Sequence, residues 1–209
     1  IETAIDILEP LYRQSEEKGR LARLLVAKMN HMDNSLDRIQ LTIEAAGVML
    51  EDENRQEDAF SLLSGELARG NYSEDILAMA RMLAMDLDSV QPLCSSLEQA
   101  RPYLDSESIE LDVLQALYEL YAQILDNDQR AETVLRDIVQ LDPDNVEGLK
   151  NLAEHLSRNN ENPAELLEIY QTLARTSHNA EEKREYLRAI VDLASMTGDG
   201  ETELMALSS

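Results

Sequence analysis

The sequence predicts an all-α protein, an α-α superhelix of about six antiparallel helical hairpins. Three observations carry this reading. First, a phrase recurs with fixed internal spacing. Residues 48–60 (VMLEDENRQEDAF) and 120–132 (LYAQILDNDQRAE) each place an apolar helix end, Met49 or Tyr121, ten residues before an alanine, Ala59 or Ala131. Each alanine opens a second apolar run, and the two lie 72 residues apart, about twice the 34-residue period of helical-hairpin repeats. Second, Leu, Ala, Glu, Asp and Met dominate, while the 209 residues hold only 7 Gly, 5 Pro and 4% aromatics; this favours helix over strand. Third, apolar residues recur at three- and four-residue spacing along most of the chain, the mark of a one-sided helix.

The elements follow in order. Residues 1–14 stripe Ile5, Leu8, Leu11 and Tyr12, and 19–32 stripe Leu21, Leu24, Leu25, Ala27 and Met29. Residues 34–52 carry Leu36, Ile39, Ile43, Ala46 and Leu50; residues 55–69 carry Ala59, Leu62, Leu63 and Leu67. Ser73 is the N-cap for a helix over 73–86, and Asp88 with Gln91 reads as a capping box for 88–101. A long helix is expected over 106–125 and another over 128–141. Pro143 stops that helix, and Asp144 with Glu147 caps the next, over 145–158. Asn162, Pro163 and Glu165 satisfy three helix-start rules at once, and helices over 163–176, 180–197 and 200–207 complete the chain. Linkers of two to six residues make neighbours antiparallel. The hairpins are then 1–32, 33–70, 71–103, 104–142, 143–177 and 178–209, in one continuous solenoid. Because the chain starts and stops inside helical patterns, beginning with Ile1, it reads as a piece of a longer protein.

Net charge is −24. That repels phosphate backbones and anionic bilayers, which argues against nucleic acid, and no segment approaches the roughly 20 apolar residues of a membrane span. The acidity serves solubility or, alternatively, a basic partner. One cysteine, Cys94, excludes an internal disulfide and reads as a buried helix residue. The compartment stays open: cytoplasm is favoured, with periplasm or cell envelope as alternatives.

Chemistry-bearing motifs are sparse. His31, His155 and His178 are dispersed, so no metal site is expected. Asp52, Asn54 and Gln56 begin like a calcium loop, but Glu57 stands where glycine is required and Leu63 where the closing glutamate is required. No phosphate loop, nucleophile elbow or zinc-protease motif occurs, and no cofactor is expected. Met79, Met82 and Met85 recur at three-residue spacing and read as core packing, with an adaptable binding surface as the alternative. Arg13, Lys18, Arg20, Arg23 and Lys28 form a local basic exception that suits an acidic surface, including a neighbouring part of a parent protein, with ordinary i,i+3 and i,i+4 ion pairs as the alternative.

Residues 114–145 resemble the tetratricopeptide repeat (TPR). Leu117, Tyr118 and Tyr121 fill the large, small and aromatic places of its first helix; Ala131, Leu135 and Ile138 fill those of its second, and DPDN at 142–145 closes the unit. Leu152, Ala153 and Leu156 with Ala164, and Ala45, Ala46 and Met49 with Ala59 and Leu63, follow the pattern more loosely. TGDGE at 197–201 looks like the family's Gly-Asp turn, and the divergence is similar to that of large multi-repeat bacterial proteins. The resemblance implies a superhelix whose first helices line a concave, partner-binding face. On that face fall Asp112, Gln115, Glu119 and Gln123, then Glu147, Lys150, Glu154 and Arg158, then Glu185, Arg188 and Asp192. The implied function is a non-enzymatic scaffold binding a peptide or protein. The alternative is a regulatory or sensory solenoid responding to a small peptide.

Overall fold

The computed structural model describes residues 2–15, 17–32, 34–159 and 162–197. Among them are eleven α-helices. Contacts cluster into two compact units, Ile1–Asp126 and Asn127–Ser209. Unit 1 holds α1 (Glu2–Gln14), α2 (Lys18–Met29), α3 (Ser35–Leu50), α4 (Gln56–Leu67), α5 (Glu74–Asp86), α6 (Val90–Ala100) and α7 (Glu107–Glu119). Unit 2 holds α8 (Asp128–Leu141), α9 (Val146–Asn159), α10 (Pro163–Thr176) and α11 (Ala180–Thr197). Within each unit every helix packs on the next. In unit 1, α3 also meets α5 and α4 meets α6, the contacts of stacked helix pairs. The helix expected over 200–207 and the turn after Thr197 lie outside the described residues.

Helix starts follow the caps. The side chains of Asn34, Ser73, Ser106, Asn127 and Asn162 accept hydrogen bonds from Leu36, Ile76, Ile109, Arg130 and Glu165 backbone N–H groups. This satisfies first-turn donors that the helix itself leaves unpaired. Two expected caps are displaced. Asn145, not Asp144, caps α9, accepting from the Gly148 N–H at 2.8 Å. Asp88 does not open α6; with φ of 51° it is the left-handed residue that closes α5. Ser89 N–H reaches back to the Ala84 carbonyl at 2.7 Å, and Asp88 N–H to that of Met85. That is the Schellman pattern, whose left-handed position an aspartate tolerates better than bulkier residues do.

The cores are aliphatic. Nearly all the repeat-like positions are buried: Ala45, Ala46, Met49, Ala59, Leu63, Leu117, Tyr121, Ala131, Leu135, Ile138, Leu152, Ala153 and Leu156. Ala164 is exposed; α10 instead buries Leu166, Ile169, Leu173 and Ala174. The stripe expected on α3 is rotated. Leu36 is 71% exposed, and the buried face is Thr42, Ala45, Ala46 and Met49. Small alanines let α2 and α4 approach α3 closely, so the larger apolar side chains lie at the flanks. His155 is buried, with Nε2 3.5 Å from a Glu132 oxygen.

Gly70 ends α4 with φ of 83°, and a Cβ there would lie 2.7 Å from the Tyr103 carbonyl oxygen. Gly70→Ala therefore combines a disfavoured backbone with a backbone clash. It is expected to lower unfolding free energy by about 1–3 kcal/mol, read as a shifted urea midpoint.

Candidate binding surface

In unit 1, α7 buries Val113, Leu114, Ala116 and Leu117. The opposite row keeps Asp112 exposed and Gln115 and Glu119 half-buried. Glu119 accepts from Arg81 of α5 at 2.7 Å, which ties two first helices of successive pairs. Gln123, expected to continue the row, is displaced. Leu120–Ile124 form a π turn in which the Leu125 N–H reaches the Leu120 carbonyl, five residues back. One residue is thereby added to the turn, and Gln123 and Ile124 straddle the line above Glu119. Asp112 also bears on Tyr72: burial, then the charges of Asp112 and Glu74, push the Tyr72 hydroxyl above its ordinary value.

The face of α5 next to Arg81 is apolar. Met82 and Met85 are 51% and 54% exposed, and Ala78 is exposed beside them, while Met79 is half-buried. The core reading of this methionine stripe is therefore wrong for two of its three members. The helix turns Ile76, Ala80, Leu83 and Ala84 inward instead.

In unit 2, α9 buries Leu149, Leu152, Ala153 and Leu156 and exposes Glu147, Lys150, Glu154 and Arg158. On α11, Ile190 and Ala194 are buried while Glu185, Arg188 and Asp192 are exposed. Lys150 Nζ donates to Glu182 at 3.3 Å, so the first helices α9 and α11 are bridged. The Glu182 hydrogen bond, and beyond it the Tyr186 hydroxyl, raise the Lys150 ammonium above its ordinary value. Tyr186 stacks on Tyr170 of α10, with centroids 6.1 Å apart, next to that bridge. Arg158 pairs with Glu154 one turn below it. Both cations of the α9 row are thus already matched. Glu147, Glu185 and Asp192 remain as outward carboxylates, with Arg188 among them.

Sequence reasoning missed Arg81 and Glu182 as parts of these faces, and gave an exposed surface at Met82 and Met85 only as the alternative to core packing. Arg81 and Glu182 carried a readable signal, since each is a charge of opposite sign on the neighbouring first helix. For the methionines the three-residue spacing raised both readings, and periodicity alone does not say which side of a helix is covered.

Two buried groups of unit 1, Glu66 and Cys94, are poor proton carriers. Glu66 is fully buried, but its neighbours are cations: Arg38 at 2.5 and 2.8 Å and Arg69 at 2.6 Å, with Asn71 donating at 2.8 Å. Burial pushes Glu66 up; the Arg38 hydrogen bond and charge, with Arg69 and Asn71, outweigh it and leave the carboxyl below its ordinary value. A carboxylate held ionised in this way has no proton to give. Cys94 is buried in α6 as expected, and burial, then the Glu98 charge, lift its thiol to about 11. That keeps it protonated and unreactive at neutral pH. Among the described residues no three His, Cys, Asp or Glu side chains gather as metal ligands, and no helix is long and apolar enough to cross a membrane.

No family model matches the chain, and no curated protein matches it. Solved structures do. YrrB, described as a TPR protein with an unusual peptide-binding site, is 14% identical over 80% of this chain and 82% of its own, with a TM-score of 0.45. A tetratricopeptide repeat protein from Parabacteroides merdae is 15% identical over 99% and 77%, with a TM-score of 0.41. PilF from Pseudomonas aeruginosa is 15% identical over 98% and 87%, with a TM-score of 0.45. The structural neighbours of this chain are tetratricopeptide-repeat proteins, at low sequence identity.

Proposed function

We propose that the chain is a non-catalytic interaction module that holds a basic peptide or protein segment on the outward faces of its first helices. The observation that carries this is the pair α9 and α11. Their apolar sides are buried, the Lys150–Glu182 pair bridges them, and the carboxylates Glu147, Glu185 and Asp192 face outward from them. A braced acidic ledge offers a basic segment long-range attraction and loses little entropy on binding. In unit 1, Asp112 supplies the same charge, and Met82 with Met85 adds adaptable apolar contact.

The test uses charge reversal at exposed residues; Glu147 lies in the first turn of α9, so circular dichroism checks that the helix persists. The variant Asp112→Lys/Glu147→Lys/Glu185→Lys/Asp192→Lys is expected to keep its helical circular dichroism. It should lose roughly tenfold or more in affinity for basic peptides selected on the wild-type chain. The wild-type affinity should also fall steeply with added salt. Undiminished binding by a folded variant sinks the proposal.

A further inference from the structure

We infer that a second recognition site lies on the other side of the helix pairs in unit 1: a groove between α2 and α4 that takes an acidic peptide segment bearing apolar side chains. In a chain of net charge −24, a cationic hollow runs against the bulk field. This one, about 620 Å³, is lined by Arg23 of α2, Arg55 of the turn before α4, and Arg69 just after α4.

The carboxylates beside these arginines do not use up their charge. Asp58 takes Arg55 at 3.1 Å. Glu66 is already matched by Arg38, so Arg69 is a surplus cation on a neutralised acid. Arg23 is exposed, and among the described residues no carboxylate pairs with it. The other four members of the local basic stretch are paired, with Glu9 and Glu44, Glu51, Glu17 and Glu9 in turn; only Arg13–Glu9 and Arg20–Glu17 have the local spacing the sequence suggests, and Lys18 and Lys28 reach beyond their own helix. Arg23 alone is left over, and it faces the groove. Below the guanidinium groups, Val26, Met49 and Leu62 give an apolar floor that continues into the cluster of Leu21, Leu25 and Ala45. Planar guanidinium forks suit carboxylates, and the floor suits the apolar side chains next to them.

Gly65 adds an independent observation. It sits inside α4, where glycine costs about 0.5–1 kcal/mol against alanine. Packing does not require it: a Cβ there would meet only the Arg69 guanidinium, at an ordinary 3.8 Å. Gly65 lines the groove, so a larger side chain there would narrow it.

This site uses second helices and the opposite sign of charge from the ledge proposed above, so the two readings fail separately. The probe is a random peptide library displayed on phage and selected against the whole chain. An acidic class containing Leu, Met or Phe is expected to enrich beside any basic class. Its affinity should drop roughly tenfold or more in both Gly65→Leu and Arg23→Glu, and stay unchanged in Asp112→Lys/Glu185→Lys. Gly65→Leu should melt at or above the wild-type temperature, since it removes a helix glycine. Should Gly65→Leu melt lower, Arg23→Glu decides alone, because that side chain is exposed and outside the core. Enrichment of basic peptides only, or acidic peptides that bind Arg23→Glu as tightly as wild type, overturns the inference.

Discussion

Arg38→Ala is expected to destabilise unit 1 by about 3 kcal/mol, measured by urea unfolding followed by circular dichroism. Arg38 of α3 makes three bonds at once: two to the Glu66 carboxylate of α4, and one at 3.0 Å to the Met29 carbonyl at the end of α2. Removing it leaves a fully buried carboxylate with the neutral Asn71 amide and with Arg69, whose side chain is mostly in water. The cost is therefore chiefly that of a buried charge left with weaker compensation, not of lost packing. A double variant, Arg38→Met/Glu66→Leu, should recover most of the loss, because it removes the charge together with its partner. If the double variant is less stable than Arg38→Ala, the pair contributes more than its desolvation cost and this account fails. The same pair sets an acid limb. Glu66 lies below its ordinary value in the folded chain, and so does Glu9, held down by Lys28 and Arg13. A carboxylate lowered on folding contributes stability above its unfolded pKa and loses it as pH falls through its folded one. The urea midpoint of the wild type should thus fall as pH drops below about 4.5, and in Arg38→Ala that fall should be shallower.

Helices were legible wherever local chemistry alone decides them. Ser73 and the Asn162-Pro163-Glu165 start were readable because a cap acts within one turn. Asp88 was misread because the same residue type serves two ends: an aspartate between two helices can cap the second or take the left-handed place after the first. Choosing between them needs the reach of Ser89 to Ala84, which only the folded backbone shows. The rotated face of α3 and the exposed methionines of α5 share a different cause. Apolar periodicity fixes that a helix has a covered side, but the depth of cover depends on which neighbours come close. Ala45 and Ala46 draw α3 in on their own side and leave Leu36 out. Of the candidate surface, the rows on α7, α9 and α11 were readable as rows. Which of their charges are already matched was hinted at only by the opposite sign of Arg81 and Glu182 on neighbouring first helices; the pairings themselves span 38 and 32 residues and need the stacked helices.

Tyr121 should be among the costliest single positions in unit 1. The recurring phrase equates it with Met49, and both are buried, yet the equal ten-residue spacing to the following alanine is built differently in each case. After Met49 the chain uses a short 3-10 turn, Glu53–Arg55; around Tyr121 it uses the π turn Leu120–Ile124. The extra residue of that turn accommodates the larger ring against α6, where the Tyr121 hydroxyl donates to Glu98 at 2.8 Å. Tyr121→Ala should therefore cost about 3–5 kcal/mol, the range for emptying a buried aromatic site. Tyr121→Phe isolates the hydroxyl and should cost about 1–2 kcal/mol, toward the low end for a charged acceptor because Glu98 is half-buried and keeps some water. Burial, and then the bond to Glu98, raise the Tyr121 hydroxyl above its ordinary value. A group raised on folding loses its contribution as pH climbs past the unfolded value, so stability should decline above about pH 10. Tyr121→Phe should blunt that decline while Tyr121→Ala deepens the loss at every pH. If instead both variants cost the same at pH 7, the ring contributes nothing beyond its hydroxyl, and the π turn has no side chain to explain it.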